Sequence, residues 1–171
     1  MNITPIRLAP GMIFCTENPM TLGRAINTVQ RFWSNDGEST YSHAGIIKTA
    51  SGMTYEALWK IQSQNIYEAY RGNKVLIGRH TSMTMADYQL GMDAVYQYSG
   101  NWYPFHRIFM HMIPPLAKYV NTGRFMVCSE LVDKFLFETG LCKRYRGRNP
   151  DHIADMIKQW REWDVVYEGV L

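Results

Sequence analysis

The chain has 171 residues, of which 46% are hydrophobic and 19% charged, with a formal net charge of +3. That length suits one domain (1–171) around a sizeable core, and the composition excludes a disordered or low-complexity chain. A charge of +3 is too small to name an acidic partner such as nucleic acid.

The opening stretch MNITPIRLAPGMIF lacks the basic segment and apolar core of a secretory signal, so a soluble, cytoplasmic protein is expected. GMIFC (11–15) predicts a short strand. TLGRAINTVQRFW (21–33) predicts a helix, because Leu22, Ala25, Ile26, Val29 and Phe32-Trp33 recur at helical spacing behind a Thr21 cap. SNDGEST (34–40) is turn chemistry. YSHAGIIKTASGMTYEALWK (41–60) predicts two strands around TASG, and KVLIGRH (74–80) predicts another. TMADYQLGMDAVYQYSG (84–100) predicts a helix that stops at Gly100.

Residues 102–119, WYPFHRIFMHMIPPLAKY, are rich in aromatics and methionine and follow no clear period. They read as a core plug in preference to a pocket wall, since such clusters usually fill cores. The apolar run at 107–117 is too short to cross a bilayer and contains two prolines, so no stable membrane insertion is expected.

FMVCSELVDKFLFETG (125–140) passes from an apolar, strand-like run into a helix at Cys128. Leu131 with Phe135, and Val132 with Leu136, form an apolar stripe. Glu130 and Lys134 take the favourable acid-first order on the other side, and Gly140 ends the helix. Lys143, Arg144, Arg146 and Arg148 concentrate positive charge, read as a solvated loop before a nucleic-acid patch; a subsite for an anionic substrate suits the same residues. DHIADMIKQWREW (151–163) predicts a helix capped by Asp151, and DVVYEGV (164–170) a closing strand. Helices mixed with hairpin strands predict an α+β fold.

Cys15, Cys128 and Cys142 are odd in number and show no CxxC spacing, so neither a disulfide framework nor a zinc cluster is indicated. Cys128 has two readings. It is either a small buried hydrophobe or a nucleophile at a helix N-terminus, where the helix dipole favours a thiolate and backbone N–H groups can face an oxyanion. Cys15 and Cys142 precede no helix-like stripe and read as inert.

A nucleophilic cysteine needs an imidazole, and the imidazole needs an orienting acceptor. Of His43, His80, His106, His111 and His152, His43 stands out because it alternates with Gly45, Ile47 and Thr49 on one strand face. A lone strand histidine is otherwise an ordinary packed residue. Hairpin arithmetic adds to the case. If TASG is a four-residue turn, Lys48 pairs with Met53 and Gly45 lies opposite Glu56, so Glu56 is the diagonal neighbour of His43. A two-residue Ser51-Gly52 turn keeps the face but moves the pair apart. Glu38 and Glu68 lack this argument. Tyr41 reads as ordinary packing, with a site phenol as the alternative.

YSHAGI on one strand, TYEAL on the next and VCSELV opening a late helix resemble the circularly permuted branch of the NlpC-type papain-like cysteine peptidases and amidases (YiiX-like group). In that branch the order is histidine, polar residue, cysteine. The resemblance covers about twenty residues in its main motifs; PGMIF and SGNWYPF fit it more loosely, and Met12 stands where members often carry an acid. It implies a permuted papain-like fold with an antiparallel sheet against helices, Cys128 as nucleophile, His43 as base and Glu56 as orienting group. It also implies amidase or peptidase chemistry through a thioester, at a surface cleft, on a peptide, amide or acyl-lipid substrate, with no metal or organic cofactor. An acyltransferase or lipid esterase on the same site is one alternative. A non-catalytic binding or virion-associated module is another.

Overall fold

The computed structural model describes residues 6–17, 40–102, 126–143 and 148–171. The helix expected at 21–33, the turn at 34–39 and the segment 103–119, with His106 and His111, lie outside the described residues, as do Glu38, Arg144 and Arg146.

Numbered among the described residues, the strands are β1 (Ile13–Thr16), β2 (His43–Ile47), β3 (Thr54–Ala57), β4 (Ile61–Gln62), β5 (Lys74–His80) and β6 (Trp163–Val170). The helices are α1 (Ile66–Ala69), α2 (Met85–Tyr96), α3 (Cys128–Glu138) and α4 (Pro150–Gln159). The strands form one six-stranded sheet in the order β4-β3-β2-β1-β5-β6. Every pairing is antiparallel.

The period-2 alternation of the central strands divides the core into two layers. Ile13, Cys15, Ala44, Ile46 and Leu76 face a cluster that includes Leu131 and Phe135 of α3 and Ile153 and Ile157 of α4. Their neighbours Phe14, Ile47, Val75 and Ile77 face the other way, onto Leu8, Met12, Ile66 and Tyr70. The sheet is therefore covered on both faces. At Gly45 this packing leaves no space for a side chain, because a Cβ there would lie 2.5 Å from Phe14 Cε1 and 3.0 Å from Glu56 Cβ.

Several boundaries differ from the sequence expectation, each because a tertiary contact competes with the local signal. The Asp151 cap of α4 is corrected: Asn149 Oδ1 accepts the His152 N–H at 2.7 Å and Pro150 takes the first helical position. Asp151 instead accepts the Thr40 N–H at 3.2 Å. The same helix stops at Gln159, since Trp163 already pairs with His80 in the β5–β6 ladder. Helix α2 ends at Tyr96, and Gly100 N–H reaches Ile61 O at 3.0 Å, drawing the chain back toward β4.

The polar side expected on α3 is also corrected. Glu130 is buried and accepts the Val127 N–H at 3.0 Å, while Lys134 pairs with Glu138 at 2.5 Å. Asp133 is buried as well, and it binds Arg148, which is only 8% exposed and so is not part of a solvated loop. No described helix is long and apolar enough to cross a membrane.

Candidate active site

The β2–β3 hairpin has the register that a four-residue turn dictates. Lys48 N–H donates to Met53 O at 2.7 Å, and Gly52 closes the turn with a φ of 89°, a backbone angle that favours glycine. Ile46 then pairs with Tyr55 and Ile47 with Thr54, which sets Glu56 diagonally across from His43. The gap is bridged directly: His43 Nε2 lies 2.7 Å from Glu56 Oε2. Both groups are withdrawn from water, His43 being 4% exposed and Glu56 0%.

Glu56 has further partners that sequence reasoning missed. Thr54 Oγ1 hydrogen-bonds Oε1 and the Tyr70 hydroxyl donates to Oε2. Gln64 Nε2 in turn donates to the Tyr70 oxygen at 3.3 Å. Thr54 was legible in principle, since it lies two residues before Glu56 on the same strand face. Tyr70 follows the one-turn helix α1 and carried no local signal. Burial alone would raise the Glu56 carboxyl, but the hydrogen bond and charge of His43, with Thr54 and Tyr70, hold it below its ordinary value.

Cys128 is the first residue of α3, entered through an extended Val127 (φ −83°, ψ 165°). The His43 ring hydrogen-bonds its side chain. Because Nε2 is committed to Glu56, Nδ1 is the nitrogen left for the sulfur. Burial opposes protonation of His43, yet the charge and hydrogen bond of Cys128, reinforced by Glu56, outweigh it and raise the imidazole to about 10. The three sequence-predicted residues thus come together in a row: thiol, imidazole, carboxylate.

Phe14 and Tyr70 pack around the imidazole, with ring centroids 6.1 and 6.0 Å from it. Cys128 itself is 6% exposed. The expected surface cleft is therefore corrected: the thiol belongs to the edge of the core, because α3 presses its whole first turn against β2 and β3.

The remaining candidates lie elsewhere or have other partners. Cys15 is sealed in the core, its Sγ 3.6 Å from Pro150 O, and burial followed by the neighbouring Cys128 pushes its thiol up. Cys142 accepts from Arg148 Nη2 at 2.9 Å. Tyr41 packs in the core and donates to Glu168 Oε1 at 3.0 Å. Glu68 is exposed on α1, and His80 packs edge-on against Trp163.

No family model matches the sequence, and no curated protein matches it. Among solved structures the chain is similar to yiiX from Escherichia coli O157:H7, described as a metalloprotein (DUF1105). The two share 14% identity with a TM-score of 0.65, over 96% of this chain and 99% of that one. At that identity the likeness shows a common fold. The described residues do not fit a metal: no three His, Cys, Asp or Glu side chains among them converge to hold an ion. His43 lies between Cys128 and Glu56, so the three donors do not point at one centre.

Proposed function

We propose that this protein is a thiol hydrolase, an amidase or peptidase of the permuted NlpC-type papain-like kind, with Cys128 as nucleophile. One observation carries the reading: an imidazole buried between a thiol and a carboxylate that is itself held by two hydroxyls. A packing cysteine requires no such arrangement, since a thiol is compatible with an apolar core. Burying an imidazolium and a carboxylate together costs desolvation, and unlike a guanidinium the imidazolium can give up the proton it holds.

The chemistry follows from the row. The Cys128 proton resides on His43, and the thiolate attacks the carbonyl carbon to form a C–S bond. The developing oxyanion meets the N–H end of α3, where helical geometry directs the first amide hydrogens outward. The tetrahedral intermediate collapses as His43 gives its proton to the departing amine and the C–N bond breaks. His43 then takes a proton from water as the water attacks the thioester, and the C–S bond breaks, releasing the acid and restoring the thiolate beside the imidazolium. Glu56 keeps the ring oriented and the imidazolium stabilised throughout, without itself accepting the proton.

The test is alkylation of the full chain with iodoacetamide at pH 6–7, read residue by residue by mass spectrometry. Cys128 is expected to react far faster than Cys15 and Cys142. His43→Ala should slow it by ~10²-fold or more, the scale of a lost proton acceptor. Because Cys128 is so little exposed, a bulky maleimide should lag behind the small reagent. If Cys128 alkylates no faster than the other two thiols, or equally fast in His43→Ala, the non-catalytic module replaces this reading. Hydrolysis of peptide amides set against lipid esters then sorts the substrate class.

A further inference from the structure

A cavity of about 480 Å³ lies at the opposite end of α3 from the thiol, enclosed by α3, α4 and the β5–β6 junction. Leu136 on its wall is about two helical turns from Cys128, roughly 12 Å along the same helix. The space is separate from the His43–Glu56 site, and its size suits a small molecule.

Its wall is divided about equally between polar and apolar surface. Leu136, Met156, Trp160 and Trp163 supply the apolar part. Arg148 is held rigidly at its edge: Nη1 donates to Asp133 Oδ1 at 2.7 Å, Nη2 to Cys142 Sγ at 2.9 Å, and the guanidinium lies 5.5 Å over the Trp160 ring. Of the five N–H groups of a guanidinium, these two have partners among the described residues. His80, 7% exposed, also lines the space. Its Nδ1 accepts the Ser82 N–H at 3.3 Å, which places the ring proton on Nε2, and Nε2 has no partner among the described residues. Burial lowers the basicity of His80, so the ring presents one neutral N–H.

Charge narrows the ligand further. Asp133 offsets Arg148, and Lys143 and Glu162, both exposed, offset each other at the wall. Among the described residues the charges at the wall balance, which favours a singly charged ligand over a multiply charged anion such as phosphate. A single carboxylate needs only the oriented donors, and the indoles accommodate an apolar body.

We propose that this cavity binds a small monocarboxylate with an aromatic or aliphatic body, its head on the Arg148 and His80 N–H groups and its body against Trp160 and Trp163. An α-amine on the ligand would face Glu162, so simple carboxylic acids and apolar amino acids share the required chemistry. The inference does not depend on Cys128 being catalytic.

Calorimetric titration of the full chain with 3-phenylpropionate, phenylalanine and 2-phenylethylamine tests it. Saturable binding of 3-phenylpropionate, with none for the amine, is expected. Tighter binding of phenylalanine assigns the α-amine to Glu162, whereas equal or weaker binding assigns the cavity to simple acids. Trp160→Ala and His80→Asn lie outside the Asp133–Arg148 pair; each should weaken binding at least tenfold in protein whose circular dichroism is unchanged. Cys128→Ala should bind as the parent does. Failure of both carboxylates to saturate, equal binding of the amine, or loss of binding in Cys128→Ala but not in Trp160→Ala would overturn the proposal.

Discussion

Two buried ion pairs flank α3, and they are matched in everything except chemistry. His43–Glu56 spans 2.7 Å with side chains 5% and 0% exposed; Arg148–Asp133 spans 2.7 Å with side chains 7% and 0% exposed. In the first, burial pushes Glu56 up, but His43, Thr54 and Tyr70 reverse the sign and the carboxyl is lowered. In the second, burial keeps Asp133 raised despite Arg148. The guanidinium, although burial works against its charge, is raised by Asp133. The partners thus point opposite ways, and the guanidinium decides. It does not deprotonate in proteins, and its Nη1 donates to Asp133 Oδ1 at 2.7 Å, beside the Arg148 backbone N–H that donates to Oδ2 at 2.6 Å, the geometry of a charged pair. One pair therefore holds a cation that can give up its proton, and the other a cation that cannot. The first is suited to proton transfer and the second to locking the chain after α3 onto the helix.

The comparison can be broken at four places, taken from the largest effect to the smallest. Asp133→Asn leaves a buried guanidinium without its counter-charge and should cost ~3–5 kcal/mol in urea denaturation. Cys128 alkylation in the folded fraction should not change; a parallel loss of reactivity would mean that both pairs serve the thiol. Glu56→Gln should act the other way, slowing Cys128 alkylation while retaining part of it, because an amide oxygen can still accept the imidazole N–H. Full reactivity in Glu56→Gln would remove the carboxylate from the mechanism.

The third place is pH. His43 is raised from 6.5 to about 10 in the folded chain. Its stabilising contribution is therefore complete below pH 6.5 and is lost as pH rises through about 10. Denaturation midpoints measured across that window should fall more steeply for the parent than for His43→Asn. Identical profiles would show that the imidazole gains nothing on folding. Tyr70→Phe is the mildest change, removing one donor to a charged Glu56 for about 1.5–3 kcal/mol. Its effect on Cys128 alkylation should be smaller than that of Glu56→Gln, and a larger one would make the hydroxyl a participant in its own right.

The local parts of the site were legible because each rests on a short-range rule. An even-length turn fixes which residues share a sheet face, and that rule alone sets His43 and Glu56 on the same side of the hairpin. A strand-like run passing into an apolar i,i+4 stripe placed Cys128 at a helix start. The misreadings share one cause. Glu130 and Arg148 look like surface charges because charged residues usually are, whereas Glu130 turns inward to accept the Val127 N–H and Arg148 pairs with the buried Asp133 fifteen positions away. Asp151 looks like a cap until Asn149, two residues earlier, takes that role.

The amino-acid order by itself determined the alternation that divides the core into two layers, the hairpin register and the helix that begins at a cysteine, since these follow from backbone periodicity over a few residues. Only the tertiary structure decided that the α3 N-terminus meets the start of β2, that Thr54 and Tyr70 close around Glu56, and that the thiol sits at 6% exposure. Those outcomes depend on contacts between segments up to 85 positions apart, and a local pattern carries no information about which distant side chain will fill the space opposite it.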